Sequence, residues 1–215
     1  MQNLNVRWAT AEDADFVAET IREVSEGVID YLFDGLFPGM TSTAVLKLVL
    51  GRGHEAYSYN HVLLVEVAGQ IGGMFFAYDA KHQTVPAVME GFLPKRRIEA
   101  VRALLEAKYP DSLWINTLWV SPEFRGMGLS GLILNLASDL ARDTGFSSLA
   151  LHCWKDNERA RHFYEKQGFR VVSKIPTGDK LLERHPDGGE CWVKPLTESA
   201  SAALALKLAS ASALA

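Results

Sequence analysis

Arg125, Gly126, Gly128 and Gly131 stand in one short stretch between two apolar segments. An arginine offers a charged fork to phosphate oxygens. Glycines let the main chain approach an anion closely, because no Cβ stands in the way. Leu113–Val120, upstream, is apolar apart from Asn116 and Thr117 and fits a buried strand. Downstream, Leu129, Leu132, Ile133, Leu136 and Leu140 recur at helical spacing. Ser121–Gly128, with Pro122 near its start, reads as the turn between them. A strand, a glycine-bearing turn and a helix aim free N–H groups and the positive end of a helix dipole at one point. The chemistry this predicts is the binding of a phosphate-bearing ligand.

Gly126, Gly128 and Gly131 also spell the G-x-G-x-x-G of dinucleotide-binding proteins. That fingerprint requires the turn directly after the strand and an acidic residue about 20 positions on for the ribose. Here Ser121–Arg125 intervene, and the chain near that distance reads LALHCW, without a carboxylate. The nicotinamide reading fails on both counts.

Val120, Pro122, Arg125, Gly126, Gly128 and Ser130 together form V-x-P-x-x-R-G-x-G-x-(small). This resembles the acyl-CoA-binding motif of the GNAT family of N-acetyltransferases. A second block, NERARHFYEKQGF, with Asn157, Ala160, Phe163, Tyr164, Gly168 and Phe169, resembles that family's next signature. The two blocks follow in the family's order, and the resemblance runs from about Leu113 to Lys174, with a looser likeness from Asn5 to Tyr78. Ser130 departs mildly from the pattern, standing where the family has Gly or Ala.

The resemblance implies an α/β fold: a mixed, twisted sheet of six or seven strands, helices on both faces, split near the central strand. It implies acetyl-CoA as acyl donor and transfer of its acetyl group to a primary amine by direct attack in a ternary complex. Cofactor contacts would fall to Leu118, Trp119, Val120, Arg125, Gly126, Met127, Gly128, Leu129, Ser130, Gly131 and Asn157. Main-chain N–H groups of Leu118 to Val120 would polarise the thioester carbonyl, which makes Leu118 a catalytic candidate. Asn157 could equally cap a helix. Tyr164 is the expected general acid, protonated at neutral pH with a reference pKa near ~10; its alternative is a packed aromatic beside Phe163. The strand Leu113–Val120 carries no carboxylate, so the base stays open among Glu66, Asp79, Glu23 and Glu26. A CoA-binding sensor without catalysis is the rival function.

The elements that must position these groups can be read in order. With 215 residues, 48% hydrophobic and 22% charged, the chain suits a single soluble domain with a full core. The expected layout is one acyltransferase domain over residues 1–196, with acceptor-side insertions at 28–60 and 79–110, and a low-complexity tail over 197–215. A formal net charge of −4 argues against a general nucleic-acid binder. Cys153 and Cys191 have no metal-ligand spacing and read as buried free thiols. No signal peptide or membrane-spanning run is evident, so a cytoplasmic setting and no membrane partner are expected; the resemblance implies a small-molecule or peptide amine as partner. Oligomeric state is open, a homodimer included.

Leu4–Trp8 reads as a strand, and Thr10 with Asp13 as a capping box opening a helix with a stripe of Ala14, Val17, Ile21 and Val24. Glu23, Glu26, Asp30 and Asp34 would share one helical face if that helix ran on through Gly27. Set beside Tyr31, Leu32, Phe33, Leu36 and Phe37, they read either as a solvated face over a packed cluster or as an acceptor pocket. Ala44–Leu50 predicts a short helix, and His61–Val67 with Gln70–Tyr78 a hairpin turning at Ala68–Gly69. Gly72–Gly73 predicts a bulge or a close neighbour. Asp79–Pro94 reads as a long mobile connection over the site, with His82 and Glu90 as possible acceptor contacts. A helix over Lys95–Tyr109, a strand over Ser147–His152, a helix from Asp156 or Asn157 to Gln167 stopped by Gly168, strands over Phe169–Ile175 and Glu190–Leu196, and a turn-rich Pro176–Gly189 complete the reading.

Overall fold

The computed structural model describes residues 3–51 and 56–196. The tail expected over 197–215 lies outside the described residues. Strand β1 (Leu4–Trp8) leads through a 3-10 turn, Ala11–Asp13, into helix α1 (Ala14–Val24), then α2 (Val28–Phe33) and α3 (Ser42–Gly51). The hairpin β2 (Val62–Val67) and β3 (Gln70–Asp79) is followed by the short helix α4 (Ala87–Glu90) and by α5 (Lys95–Leu105). Then come β4 (Ser112–Val120), α6 (Leu129–Asp143), β5 (Ser148–Trp154), α7 (Glu158–Lys166), β6 (Arg170–Ile175), α8 (Asp179–Arg184) and β7 (Gly189–Pro195). The seven strands form one sheet in the order β1-β2-β3-β4-β5-β7-β6, with β4 and β5 the parallel pair. This is the mixed α/β sheet expected.

Alternation along the central strands feeds two cores, one on each face. Leu64, Met74, Phe76 and Trp114 pack toward α1, α2, α3 and α5. Leu63, Val65, Phe75, Ile115 and Leu149 pack toward Leu129, Ile133, Leu136 and Ala137 of α6. Burial on both faces is why these strands read as near-continuous apolar runs.

Gly72 and Gly73 meet both expectations. Gly72 is the extra residue of a bulge between Val65 and Glu66 of the neighbouring strand. A Cβ on Gly73 would collide with Cδ1 of Ile133, and one on Gly72 would lie 2.8 Å from Val67 and 3.1 Å from Phe124. The two glycines therefore let the start of α6 sit directly on the sheet. Gly73→Val is expected to cost about 1–3 kcal/mol through overpacking, read as a lower midpoint of thermal unfolding.

Four expectations need correction. The acidic series does not share one helix: α1 ends at Val24, and Glu26 (φ 48°) and Gly27 (φ 103°) take left-handed conformations that turn the chain before α2. Residues 79–94, expected as a long mobile connection, carry secondary structure and buried anchors. They form a 3-10 turn and α4, and Ala80, Val85, Met89 and Leu93 are buried in the core, apolar side chains that anchor the segment. The helix expected to reach Tyr109 stops at Leu105, with Glu106 as its C-cap. The turn-rich stretch 176–189 contains α8.

Candidate active site

The parallel strands β4 and β5 pair only at Ser112–Ile115 with Ser148–Leu151. Beyond those four positions they diverge. Thr117–Val120 keep only the β3 side, and His152–Trp154 keep only β7. The gap lies at the carboxyl ends of parallel strands, where α/β sheets admit ligands. Asn116 marks its apex as the bulged residue of β4: Phe76 pairs with Thr117 and Ala77 with Ile115, leaving Asn116 unpaired.

Main-chain direction in the diverging segment follows from two bonds. Ser121 N–H donates to the Gly72 carbonyl at 2.9 Å, so Ser121 faces β3. By the two-residue period Trp119 faces the same way, and Leu118 and Val120 turn their N–H and C=O groups into the gap. The Val120 carbonyl accepts from Arg125 Nε at 3.1 Å, as this requires. Trp119 instead packs its ring edge-on against Phe16 at 5.6 Å.

The glycine turn sits at the mouth of this gap. Pro122–Phe124 makes one 3-10 turn, and Gly126 (φ 81°) and Gly128 (φ 83°) are left-handed, a region glycine enters freely. Gly128 is the N-cap of α6, and the first helical bond runs from Leu132 N–H to the Gly128 carbonyl at 3.1 Å. The N–H groups of Leu129, Ser130 and Gly131 are therefore left without helical partners. No atom lies within 4 Å of where a Cβ would stand on Gly126, Gly128 or Gly131. Met127 is 60% exposed between them. The result is an open concavity lined by N–H groups, with a guanidinium beside it, suited to a diphosphate.

A cavity of about 200 Å³ runs from the gap toward α1, α2, α4 and α5. Leu118, Asn157, Ala160 and Tyr164 line its α7 side. Burial holds the Tyr164 hydroxyl above its ordinary pKa, with the Cys153 thiol as a smaller contribution, so the hydroxyl keeps its proton. Its ring also packs against Phe163 and Phe169, as the packing alternative expected. Asn157 caps α7, its Oδ1 accepting from Ala160 N–H at 3.1 Å, and its Nδ2 donates to the Glu26 carboxylate at 2.7 Å. Both ends of that amide are thus engaged within the protein. The Glu26 carbonyl is bound in turn by His185 Nε2 at 3.1 Å, and His185 Nδ1 meets Asp156 at 2.9 Å while its ring stacks on Trp154 at 4.0 Å. This set holds the left-handed turn at Glu26 against the start of α7.

Of the candidate bases, Glu26 lines the cavity. Glu66, on β2 beside the edge strand β1, is engaged by Asn5 and Arg7. Asp79 pairs with Lys81, and neither it nor Glu23 lines the cavity; nor do His82 and Glu90. Residues the sequence reading did not single out form the floor. Tyr78 OH donates to Gln83 Oε1 at 2.6 Å and accepts from Asn116 Nδ2 at 3.1 Å, and Tyr57 lies beside them. Burial pushes Tyr57 up to about 12 and Tyr78 well above its usual value, so both floor hydroxyls are neutral donors. Asn116, a polar break in an apolar strand, was the one local signal of this network. Cys153 and Cys191 are free and buried, as expected.

Comparison with known proteins settles the lineage. The acetyltransferase (GNAT) family model matches residues 57–169, more than half of the chain. The chain belongs to the GNAT acetyltransferase family. The N-acetyltransferase YdgE of Bacillus subtilis is 40% identical over 50 residues, 23% of this chain and 32% of that protein. Mycothiol acetyltransferase of Propionibacterium freudenreichii is 33% identical over 76 residues, 35% of this chain and 24% of that protein. The matches thus span about a third and about a quarter of these two relatives. Among solved structures, an N-acetyltransferase from Staphylococcus aureus Mu50 superposes with a TM-score of 0.65 at 20% identity, covering 88% of this chain and 99% of that one. A spermidine N-acetyltransferase from Vibrio cholerae, in complex with CoA and spermine, gives 0.54 at 15% identity over 90% and 95% of the two chains. At these identities the structures establish the GNAT fold.

Proposed function

We propose that this GNAT-family protein transfers an acetyl group from acetyl-CoA to a primary amine. The observation that carries the reading is the divergence of β4 from β5 beside the glycine turn of α6. It gives one continuous track: N–H groups for the diphosphate at Gly126–Gly131, main-chain N–H groups of Leu118 and Val120 turned away from β3 for the pantetheine arm, and a cavity beyond. Every group assigned to CoA from the sequence adjoins that track except Trp119, which contributes packing.

In the reaction the amine nitrogen attacks the thioester carbon with its lone pair. The carbonyl oxygen gains charge facing the Leu118 N–H, a fixed donor where water is excluded. The carbon–sulfur bond then breaks and the sulfur keeps the electron pair. Tyr164 supplies the proton that the thiolate takes up, and Glu26, directly or through water, receives the proton the amine gives up. Asn157 positions Glu26 and the start of α7. Residues 28–60 and 79–110 form the acceptor side of a single domain, and no covalent enzyme intermediate is required.

The test is a thermal-shift comparison of acetyl-CoA with NAD(H), followed by a thiol-release screen over amines. Acetyl-CoA at 100 times its Kd should stabilise the fold by about 2.7 kcal/mol, and NAD(H) should leave it unchanged. Stabilisation by NAD(H) alone would sink the reading, and CoA binding without thiol release from any amine would favour a sensor.

A further inference from the structure

We propose that the acceptor is a monoamine: one ammonium on a short apolar body, seated in the cavity beyond Leu118. This rests on the acyl-transfer reading above and specifies its substrate class. The argument begins with charge. Glu26 is the one carboxylate among the described residues lining the cavity, and one carboxylate accommodates one ammonium. The deeper walls are Val28, Ile29, Leu32, Met89, Leu104 and Leu105, from α2, α4 and α5. The floor polar groups, Tyr57, Tyr78, Gln83 and Asn116, are neutral and largely bonded to one another. A second ammonium entering there would be stripped of water with no anion to meet it. An apolar chain would instead replace water against apolar walls.

Size points the same way. The cavity of about 200 Å³ is shared with the CoA track, since Leu118, Asn157 and Tyr164 also line it, so the acceptor has only part of it. That leaves room for a short chain and excludes an amino sugar of several rings. Polyamines and aminoglycosides fall outside the class on charge, on volume, or on both.

The experiment compares hexylamine with 1,6-diaminohexane, which differ only by the distal ammonium, in a thiol-release assay with acetyl-CoA. Hexylamine should have a kcat/KM at least about tenfold higher. Leu105→Asp puts a carboxylate on a partly exposed wall position, and it should narrow or reverse that ratio while CoA-induced thermal stabilisation is kept. Equal or better turnover of the diamine overturns the inference, and so does failure of both amines to release thiol. Preference for hexanoyl-CoA over acetyl-CoA with hexylamine would also overturn it, by assigning the apolar space to the acyl donor. Absence of any stabilisation by CoA is a different result: it strikes the CoA reading itself.

Discussion

Gly131→Glu is expected to make the protein more stable and a much poorer CoA binder at once. Gly131 lies in the first turn of α6, and no atom stands within 4 Å of its missing Cβ. Glycine inside a helix costs up to ~1 kcal/mol relative to a good helix former, and a carboxylate near a helix N-terminus adds about 0.3–1 kcal/mol. The melting temperature should therefore rise by a few degrees. The same carboxylate would occupy the N–H groups of the first turn and repel a diphosphate, so we expect the Kd for CoA to rise by about 100-fold, a loss of roughly 2.7 kcal/mol. Opposite signs separate the two roles of the turn. A variant that gains stability and keeps its affinity for CoA would reduce Arg125–Gly131 to a strand-to-helix connection.

Tyr164→Phe should lower kcat by about 100-fold or more, within the range for removing a positioned acid, while the Kd for CoA stays nearly constant. The ring contacts with Phe163, Phe169 and Trp192 survive the substitution, so the variant removes only the hydroxyl. Burial keeps that hydroxyl protonated across the neutral range. Loss of activity should therefore appear as a uniform depression across neutral pH. Equal turnover by the two proteins would leave Tyr164 as a packing residue.

What the sequence revealed divides by distance along the chain. The cradle was legible because Val120, Pro122, Arg125, Gly126, Gly128 and Ser130 lie within eleven residues, and the backbone itself is the binding group. The hairpin turn was legible at Ala68–Gly69, and the central strands were legible from near-continuous apolar runs, the mark of burial on both faces. Residues 79–94 were misread because α4, between Pro86 and Pro94, is only four residues long, too short to stand out as a helix although Val85, Met89 and Leu93 recur every four positions. The support beneath Glu26 could not be read at all. Asn157 and His185 reach it from 131 and 159 positions away, and no local pattern joins such partners. The break at Glu26–Gly27 shows the same limit: acidic spacing of three and four suggested a continuous helix, whereas a left-handed pair of residues ends it.

The bulge at Asn116 has a consequence for how far the cleft can relax. Ile115 and Leu118 point to the same face although three positions apart, because one residue drops out of the alternation. The two halves of β4 are thus out of phase. Zipping the free half onto β5 by sliding β4 one position would carry Trp119 under α6 and expel Leu118 and Val120 from it. Closure by that slide would invert the central strand between two oily layers, so the phase shift at Asn116 holds the two strands apart.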